Sequence, residues 1–228
     1  MASIERIREK MSAISALKEN VEIVAVTKHC DLDTIKSAYD AGARHFGENK
    51  VQELCDKAAH FESEGFRDIH WHFIGHLQSN KVNKLASVKN LFAIHSIDSF
   101  DLLGALLAKG EEFISKDIKC FIQMNTSGED EKTGFKKFND IEDCYLDLKG
   151  SGHSTFNLYG LMTMGKIRTN DFEKDANLSF SKLSRFKDDF VLKYPHVSLK
   201  LSMGMSQDFK IALDHGADWL RIGTHLFK

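Results

Sequence analysis

Apolar residues recur along this chain with two alternating periods, one typical of helices and one typical of buried strands. Near the N-terminus, apolar side chains three or four positions apart predict an amphipathic helix over residues 4–18: Ile4, Ile7, Met11, Ile14 and Leu17. Residues 21–26 are then apolar except at Glu22, which predicts a buried strand. That strand leads to Lys28, whose charge must pair, reach water or lose its proton.

The alternation of helix and strand continues to the end of the 228-residue chain. The predicted strands cover residues 21–26, 44–49, 69–76, 91–97, 119–126, 156–164, 197–203 and 218–227. The predicted helices between them cover residues 31–42, 51–63, 78–88, 98–113, 138–148, 170–193 and 206–216. Eight strands that alternate with helices over about 200 residues indicate a (β/α)8 barrel, the TIM barrel.

We therefore predict a single (β/α)8 barrel domain over residues 1–228, since no change in composition marks an internal linker. No helix is predicted after the eighth strand. The helix over residues 4–18 is accordingly assigned to the vacant position, where it completes the outer ring. A doubly wound open sheet is the competing architecture, because it shows the same alternation of elements.

Composition and charge make several classes of partner improbable on physical grounds. The 31 basic and 33 acidic residues give a net charge of −2 without a run of like charge, so the chain offers no electrostatic footprint for nucleic acid or a membrane surface. The N-terminus lacks the apolar segment of a signal peptide, and no stretch approaches the ~18 apolar residues of a membrane helix. We expect a cytoplasmic protein that works on small molecules.

Cysteine and histidine spacing gives little support to a metal site. The four cysteines are scattered without a CxxC pair, which favours reduced thiols over a zinc site or a disulfide framework: Cys30, Cys55, Cys120 and Cys144. His70 and His72 share a face of the third predicted strand, with His76 just beyond. Such a pair can bind metal, but Trp71 and Phe73 favour core packing, and no matching ligand set appears on the other strand ends. We predict no metal site.

In a (β/α)8 barrel the functional side chains lie at the C-terminal ends of the strands. Lys28 follows strand one, Asn49 ends strand two and Arg221 lies near the top of strand eight, so all three should face one mouth. Lys28 is then either a surface lysine or a reactive amine. As a functional residue it would clamp a phosphorylated substrate or form a Schiff base with a phosphorylated aldehyde.

Phosphate is often held after strands seven and eight of such barrels by backbone amides and a helix N-terminus. The segments SMGMSQD (202–208) and RIGT (221–224) offer glycine and hydroxyl groups at these two positions. Structural roles are equally open: the serines could be helix N-caps, the glycines could turn the chain, and Arg221 could pair with a carboxylate. The loop SGEDEKTG (127–134) is either a mobile lid or a solvated loop.

Seven motifs, in this order, resemble those of the pyridoxal phosphate homeostasis protein family: VAVTKH, HFGENKVQE, WHFIGHLQSNK, EDEKTGF, GLMTMG, LSMGMSQDF and RIGTHLF. The resemblance covers about residues 21–227. It implies a (β/α)8 barrel of the alanine-racemase type that binds pyridoxal 5′-phosphate (PLP) as a Schiff base. The lysine at the end of strand one would carry the cofactor.

The resemblance assigns these cofactor-binding residues: Lys28, Asn49, Ser202, Met203, Ser206, Arg221, Gly223 and Thr224. Lys28 would form the Schiff base, and Asn49 would lie beside the ring. Arg221 would face the pyridine nitrogen and keep it unprotonated, because a second positive charge nearby disfavours its conjugate acid. Ser206 and residues 223–224 would bind the phosphate, while the other two would line the site.

The resemblance implies a cofactor-binding and regulatory protein that buffers PLP, with PLP-dependent apoenzymes as partners that would receive it. We assign no catalytic residue. The alternative is a PLP-dependent amino-acid racemase, which needs a second base opposite the lysine. Alanine racemases supply a tyrosine from an additional domain of the partner subunit, and we expect no such domain in a chain that ends at Lys228. An aldolase acting on a phosphosugar would instead need a free Lys28 amine.

The four tyrosines of the chain fall in predicted helices, in a strand before its C-terminal end, or beside the single proline: Tyr39, Tyr145, Tyr159 and Tyr194. None is an obvious second base, which favours cofactor binding over racemisation. A ring nitrogen kept unprotonated also makes the cofactor a weaker electron sink. We expect a monomer, because the barrel is complete within one chain.

Overall fold

The computed structural model describes residues 3–129, 131–152, 154–166 and 169–228. Eight parallel strands form a closed barrel in chain order, with the last strand paired to the first. The strands are β1 (Glu22–Val26), β2 (His45–Glu48), β3 (His70–Phe73), β4 (Leu91–Ile97), β5 (Ile118–Gln123), β6 (Phe156–Met162), β7 (Lys200–Ser202) and β8 (Trp219–Ile222). The predicted (β/α)8 barrel is confirmed.

Helices connect successive strands on the outside of the barrel. They are α1 (Ile4–Ser15), α2 (Leu32–Asp40), α3 (Val51–Ser63), α4 (Val82–Leu85), α5 (Phe100–Ala108), α6 (Phe138–Gly150), α7 (Phe172–Lys193), α8 (Phe209–Asp214) and α9 (Thr224–Phe227). Short 3-10 turns occupy Ser79–Lys81 and Gly110–Glu112. No helix within the described ranges is long and apolar enough to cross a membrane.

Helix α1 completes the outer ring, as the sequence predicts. The Ser3 side chain caps its N-terminus by accepting the Arg6 backbone N–H at 3.2 Å. Ile7 and Ile14, one face of the predicted stripe, are buried in the main core. The helix contacts α2 on one side and α9 on the other, so it lies between the first and last helices of the ring.

The structure corrects several of the predicted elements. The eighth strand ends at Ile222 rather than at residue 227, and the four residues of α9 follow it, so a short helix does come after β8. The predicted helix over residues 78–88 is a 3-10 turn followed by the single turn of α4. Segments of four residues are too short to show a helical period, so apolar content alone could not separate helix from strand there.

The third strand is also shorter than predicted, since it ends at Phe73 rather than at residue 76. A Cβ on Gly75 would lie 2.1 Å from the carbonyl oxygen of Asn49, so only glycine fits this close approach of the β3 loop to the end of β2. The contact joins the tops of two neighbouring strands. It therefore shapes the rim on which Asn49 lies.

The core has two parts, separated by the barrel wall. A large cluster fills the space between strands and helices, and a smaller cluster closes the barrel interior: Val24, Ala93, Phe121, Met162 and Trp219. These interior residues fix which side chains of each strand point inward, because successive side chains of a strand alternate between the two faces. On β8, Arg221 lies two positions beyond Trp219 and therefore faces the interior as well.

Candidate cofactor site

Lys28 lies at the open mouth of the barrel, two residues beyond the end of β1. It belongs to a turn at the C-terminal end of β1, the end of the barrel at which functional side chains gather. The residue is exposed, so the buried strand does not bury the ammonium group. The sequence left open whether this charge pairs, reaches water or loses its proton, and the structure shows that it reaches water.

A buried ion pair fixes the backbone immediately before Lys28. Lys57 Nζ, from α3, donates to Glu48 Oε1 at 2.6 Å and to the Thr27 carbonyl oxygen at 3.0 Å. Thr27 Oγ1 donates to the same Glu48 oxygen at 2.7 Å. The Glu48 side chain is fully buried. Residue 28 therefore extends from a rigid base, although its own side chain meets solvent.

Asn49 lies on the rim beside Lys28. The pairing of Val26 with Gly47 aligns the ends of β1 and β2, and each of the two rim residues is two positions further along its strand. Asn49 is half-buried beside Gly75, and the pairing of β1 with β2 brings it and Lys28 to neighbouring positions along the rim.

Arg221 lies inside the barrel on β8, paired in register with Val24 of β1. Its guanidinium is buried and donates from Nη1 to Ser202 Oγ at 2.6 Å and from Nη2 to the Thr163 carbonyl oxygen at 2.9 Å. Burial lowers the pKa of Arg221 to about 10, and the nearby Asp208 carboxylate opposes that shift. The group is still cationic at neutral pH. Its bonds are to a hydroxyl and a carbonyl, not to the carboxylate that the sequence left open.

Ser206 joins the loops that follow β7 and β8. Its Oγ accepts the backbone N–H of Gly223 at 3.3 Å and that of His225 at 3.1 Å, and Thr224 lies exposed between them. The N-cap of α8 is Asp208, so Ser206 is not the helix cap that the sequence allowed as an alternative. Its hydroxyl oxygen instead accepts two backbone N–H groups at the start of α9.

Gly204 turns the chain between Ser202 and Ser206. Its φ is +94°, a conformation that side chains rarely adopt, and an added Cβ would lie 2.6 Å from Ala212. A structural role for this glycine, one of the alternatives left open by the sequence, therefore accounts for it. The turn carries Ser206 from the top of β7 towards the loop after β8.

Ser202 and Met203, the two residues expected to line the site, lie on opposite faces of the barrel wall. Ser202 points inward and accepts from Arg221. Met203 has the opposite parity and is completely buried in the cluster between strands and helices. Its side chain therefore faces away from the mouth, which corrects the expectation that it lines the site. One position along a strand reverses the face.

Three histidines inside the barrel form a chain that the sequence did not predict. His45 Nδ1 lies 2.9 Å from His72 Nε2, His72 Nδ1 lies 2.8 Å from His95 Nε2, and His95 Nδ1 lies 2.8 Å from Ser202 Oγ. The signal for it was available, since all three lie at inward-facing positions of neighbouring strands. The histidines bond to each other, and no metal-binding group of three or more His, Cys, Asp or Glu side chains occurs among the described residues.

The loop after β5 is tied to the top of the barrel. Gln123 Nε2 donates to the carbonyl oxygen and the hydroxyl of Thr133, both at 3.1 Å. Asn125 Nδ2 donates to the carbonyl oxygens of Glu129 and Lys132 at 2.8 and 3.0 Å. Lys132 Nζ in turn reaches the Gly165 carbonyl at 2.7 Å. Residue 130 of this loop lies outside the described residues.

Comparisons with known proteins identify the family to which this barrel belongs. The family described as alanine racemase, N-terminal domain, matches residues 2–228 of this chain. The pyridoxal phosphate homeostasis protein of Schizosaccharomyces pombe is 39% identical over 215 residues, which cover 93% of this chain and 86% of that protein. The chain belongs to the pyridoxal phosphate homeostasis protein family. The human member is 36% identical over 209 residues, which cover 90% of this chain and 75% of the human protein.

Solved structures place the family on the same barrel. PipY of Synechococcus elongatus PCC7942, solved with PLP bound, is 31% identical with a TM-score of 0.81, covering 97% of this chain and 100% of that chain. Alanine racemase from E. faecalis is 16% identical with a TM-score of 0.70, covering 98% of this chain and 58% of that chain, a likeness of fold alone. The family recognised from the sequence motifs is confirmed.

Proposed function

We propose that this protein binds PLP as a Schiff base on Lys28 and acts in intracellular PLP homeostasis, holding and supplying the cofactor rather than turning over a substrate. The relatives named pyridoxal phosphate homeostasis protein and the PLP-bound PipY structure support the ligand. The observation in this structure that carries the proposal is the convergence of an exposed amine, a buried guanidinium and a hydroxyl–amide cluster at one barrel mouth.

The chemistry of these groups fits the cofactor. PLP supplies an aldehyde, which condenses with a primary amine and releases water, together with a ring that can accept electrons. Lys28 is a primary amine on the rim, and Lys57, paired with Glu48, holds the carbonyl of the preceding Thr27. PLP also carries a phosphate group, and binding of that group requires N–H and O–H donors.

The phosphate would be held by Ser206, Gly223 and Thr224. Ser206 Oγ already accepts two backbone N–H groups, so those groups converge on one point where a phosphate oxygen can replace the hydroxyl as acceptor. The Ser206 hydroxyl can then donate. Amide and hydroxyl donors that converge on one point suit an anion.

Arg221 would face the pyridine nitrogen and leave it unprotonated. The guanidinium has five N–H groups, and its bonds to Ser202 and Thr163 use two of them. The other N–H groups remain to donate toward the site. Its positive charge disfavours a second proton on the ring nitrogen. Asn49, on the rim beside Lys28, would lie against the ring. Such a site retains the cofactor but weakens it as an electron sink.

The placement of the tyrosines favours storage over racemisation. Tyr39 donates to Asp68 at 2.6 Å, Tyr145 lies 3.2 Å from His196, and Tyr194 donates to Glu142 at 3.0 Å, all on outer helices or their ends. Tyr159 packs in the barrel floor beside Trp219. A tyrosine base opposite Lys28 is thus lacking in the described part of this chain.

Replacement of Lys28 is expected to abolish covalent cofactor binding. The wild-type protein incubated with PLP should develop a visible absorbance band, and borohydride should fix the cofactor on the peptide that contains Lys28. Lys28→Ala should show neither, because no amine remains at that position on the rim. Absorbance before and after borohydride, followed by peptide mass analysis, measures both effects.

The matched control is Lys50→Ala, which removes another exposed lysine beside the same rim. Lys50 directly precedes α3 and pairs with Glu53 of its first turn, so we expect the band and the Lys28 adduct to be unchanged. A reduced adduct on Lys50, or an undiminished band in Lys28→Ala, would contradict the assignment of Lys28.

Release of the cofactor is the second expected property. The loaded protein should restore the activity of an apo PLP-dependent enzyme, because the amine–aldehyde bond is reversible in water. The borohydride-reduced protein should restore none, which makes it the matched control. Enzyme activity followed over time measures the transfer. A loaded protein that never reactivates the apoenzyme would contradict a role in supply.

We also propose that the whole chain forms one domain and acts as a cytoplasmic monomer. The barrel closes within one chain. The four cysteines are free, and two of them, Cys120 and Cys144, are buried. Burial raises the pKa of Cys144 to about 12, so this thiol stays protonated and unreactive. Such thiols suit a reducing compartment, and sedimentation at several protein concentrations measures the oligomeric state.

A further inference from the structure

The histidine chain inside the barrel climbs from its lower end to the guanidinium of Arg221. His45 is the first residue of β2, His72 the third of β3 and His95 the fifth of β4, so each step across the sheet is also a step upward. Ser202, the last residue of β7, completes the path by accepting from Arg221. Binding of a cofactor at the mouth does not by itself require the three histidines that lie below Ser202.

All three imidazoles are held neutral. Burial lowers the pKa of His72 and His95 well below the usual value, and neighbouring histidines and Arg221 add to the effect. Burial, with His70 as a further cause, lowers the pKa of His45 to about 4. A neutral imidazole has one N–H and one acceptor nitrogen. Each hydrogen bond of the chain therefore contains one proton. All the donors can point either toward Arg221 or away from it, so the chain has only two possible directions.

The charge of Arg221 selects one of these directions. Protons that point away from the guanidinium are favoured, because the positive end of each N–H or O–H dipole is then farther from the cation. In that direction Ser202 donates to His95 Nδ1, His95 Nε2–H donates to His72 Nδ1, and His72 Nε2–H donates to His45 Nδ1. The Nε2–H of His45 is left facing the half-open lower end.

At that lower end the last proton of the chain can reach water. His45 is half-buried and stacks on His70, with ring centroids 4.8 Å apart. His70 lines a cleft of about 270 Å³ at the N-terminal ends of the strands, together with polar residues that include Asn90 and Ser115. Because His45 is half-buried, water can accept its terminal N–H. In the reverse direction Ser202 would receive two donors, Arg221 and His95, and its own hydroxyl proton would have no recorded acceptor among the described residues, so one direction alone satisfies both ends.

We propose that His95, with His72 and His45 behind it, is a positioning residue that directs the Ser202 hydroxyl proton into the barrel floor, so that Ser202 meets Arg221 only as an acceptor. The guanidinium is then fixed in one orientation by Ser202 and by the Thr163 carbonyl. The proposal rests on the proposed function only for what Arg221 faces at the mouth. The direction of the chain is a property of the protein without cofactor.

Nitrogen NMR of the cofactor-free protein, labelled with ¹⁵N in its 11 histidines, tests the direction. Signals are assigned by comparison with single histidine variants. We expect His45, His72 and His95 each to be neutral and protonated on Nε2 near pH 7.5. A proton on Nδ1 of His95, or a doubly protonated ring at any of the three, would overturn the proposal.

The variant His72→Phe interrupts the chain while keeping a ring against Phe92 and Trp219. His95 then has no acceptor for its Nε2–H, so its proton should move to Nδ1 and be donated to Ser202. A purely structural role of His72 would change stability but would leave the His95 tautomer unchanged, and that result would overturn the proposal. If this variant does not fold, His45→Phe, at the half-buried end, should move the proton of His72 from Nε2 to Nδ1 in the same way.

The matched control is His70→Phe, which changes the neighbouring histidine of the same strand outside the chain. It keeps an aromatic ring against His45, and we expect no change of tautomer at His95. In the PLP-loaded proteins, His72→Phe should weaken cofactor binding several-fold and His70→Phe should not. Expected tautomers in a protein that takes up no PLP would contradict the proposed function and leave the directed chain intact. Normal PLP uptake with reversed tautomers would contradict the directed chain and leave the proposed function intact.

Discussion

Mild acid is expected to destabilise this protein steeply, because three interior imidazoles are neutral in the folded chain and can be protonated in the unfolded one. Between pH 6.5 and about pH 4, the unfolded chain binds protons at His45, His72 and His95 that the folded chain does not. The free energy of unfolding therefore falls as the pH falls. Each histidine contributes up to about 1.4 kcal/mol per pH unit, so three approach roughly 4 kcal/mol per pH unit.

The sign of this effect follows from the depressed pKa of each buried histidine. The stabilising contribution of a neutral imidazole is fully present above its unfolded-state pKa, and it is lost progressively as the pH falls toward the folded-state value. Asp208 acts in the opposite sense, because burial raises the pKa of its carboxyl group, and this offsets part of the loss at the acid end. The net slope should accordingly be steepest between about pH 6 and pH 5.

Urea unfolding at several pH values, followed by the fluorescence of the two tryptophans, measures the slope. His72→Phe removes one of the three titrating groups, so its slope should be smaller by about one third. A free energy of unfolding that stays constant from pH 6.5 to pH 5 would contradict neutral histidines in the barrel. An unchanged slope in His72→Phe would mean that the acid sensitivity arises elsewhere.

The barrel could be predicted from the sequence because the evidence for it, the spacing of apolar residues, is local. Period-two and period-3.6 patterns repeat over segments long enough to be counted, and the rim positions of Lys28 and Asn49 follow from where two strands end. The short helix α9 was missed for the opposite reason. Only Gly223 separates its four residues from β8, so the strand pattern extended through them.

The side-chain contacts of the site could not be predicted in the same way, because they depend on register between strands. His45, His72 and His95 are distant in the sequence, and only the stagger of β2, β3 and β4 brings their rings within hydrogen-bonding distance. Met203 shows the same limit at one position. The motif that contains it matches the family, yet parity along β7 turns its side chain to the outer core.

Replacement of Lys57 by methionine is expected to cost about 3–5 kcal/mol of stability, the range for removing one partner of a buried ion pair. The Glu48 side chain is fully buried, and Lys57 is 11% exposed. Without the ammonium group, Glu48 Oε1 keeps only the Thr27 hydroxyl as a donor, and its Oε2 already lacks a hydrogen-bond partner among the described residues. The result is an uncompensated buried carboxylate. Equilibrium unfolding in urea measures the loss.

Two further variants separate loss of the partner from loss of the side chain. Lys57→Met combined with Glu48→Leu removes both charges, so it should recover much of the stability that the single variant loses. Lys50→Met breaks an exposed pair with Glu53 on the same helix and should change stability little, because solvent screens that pair. Equal losses in the single and double Lys57 variants would show that packing of the lysine side chain, not its charge, stabilises the end of β2.

Loss of the Lys57–Glu48 pair should also reach the cofactor site, since Lys57 holds the Thr27 carbonyl at the base of Lys28. The double variant lacks this bond even though its stability recovers. We therefore expect it to fold and yet to form the Lys28 adduct more slowly than wild type. Unchanged adduct formation would mean that the closed barrel alone positions Lys28, and that the buried pair serves stability only.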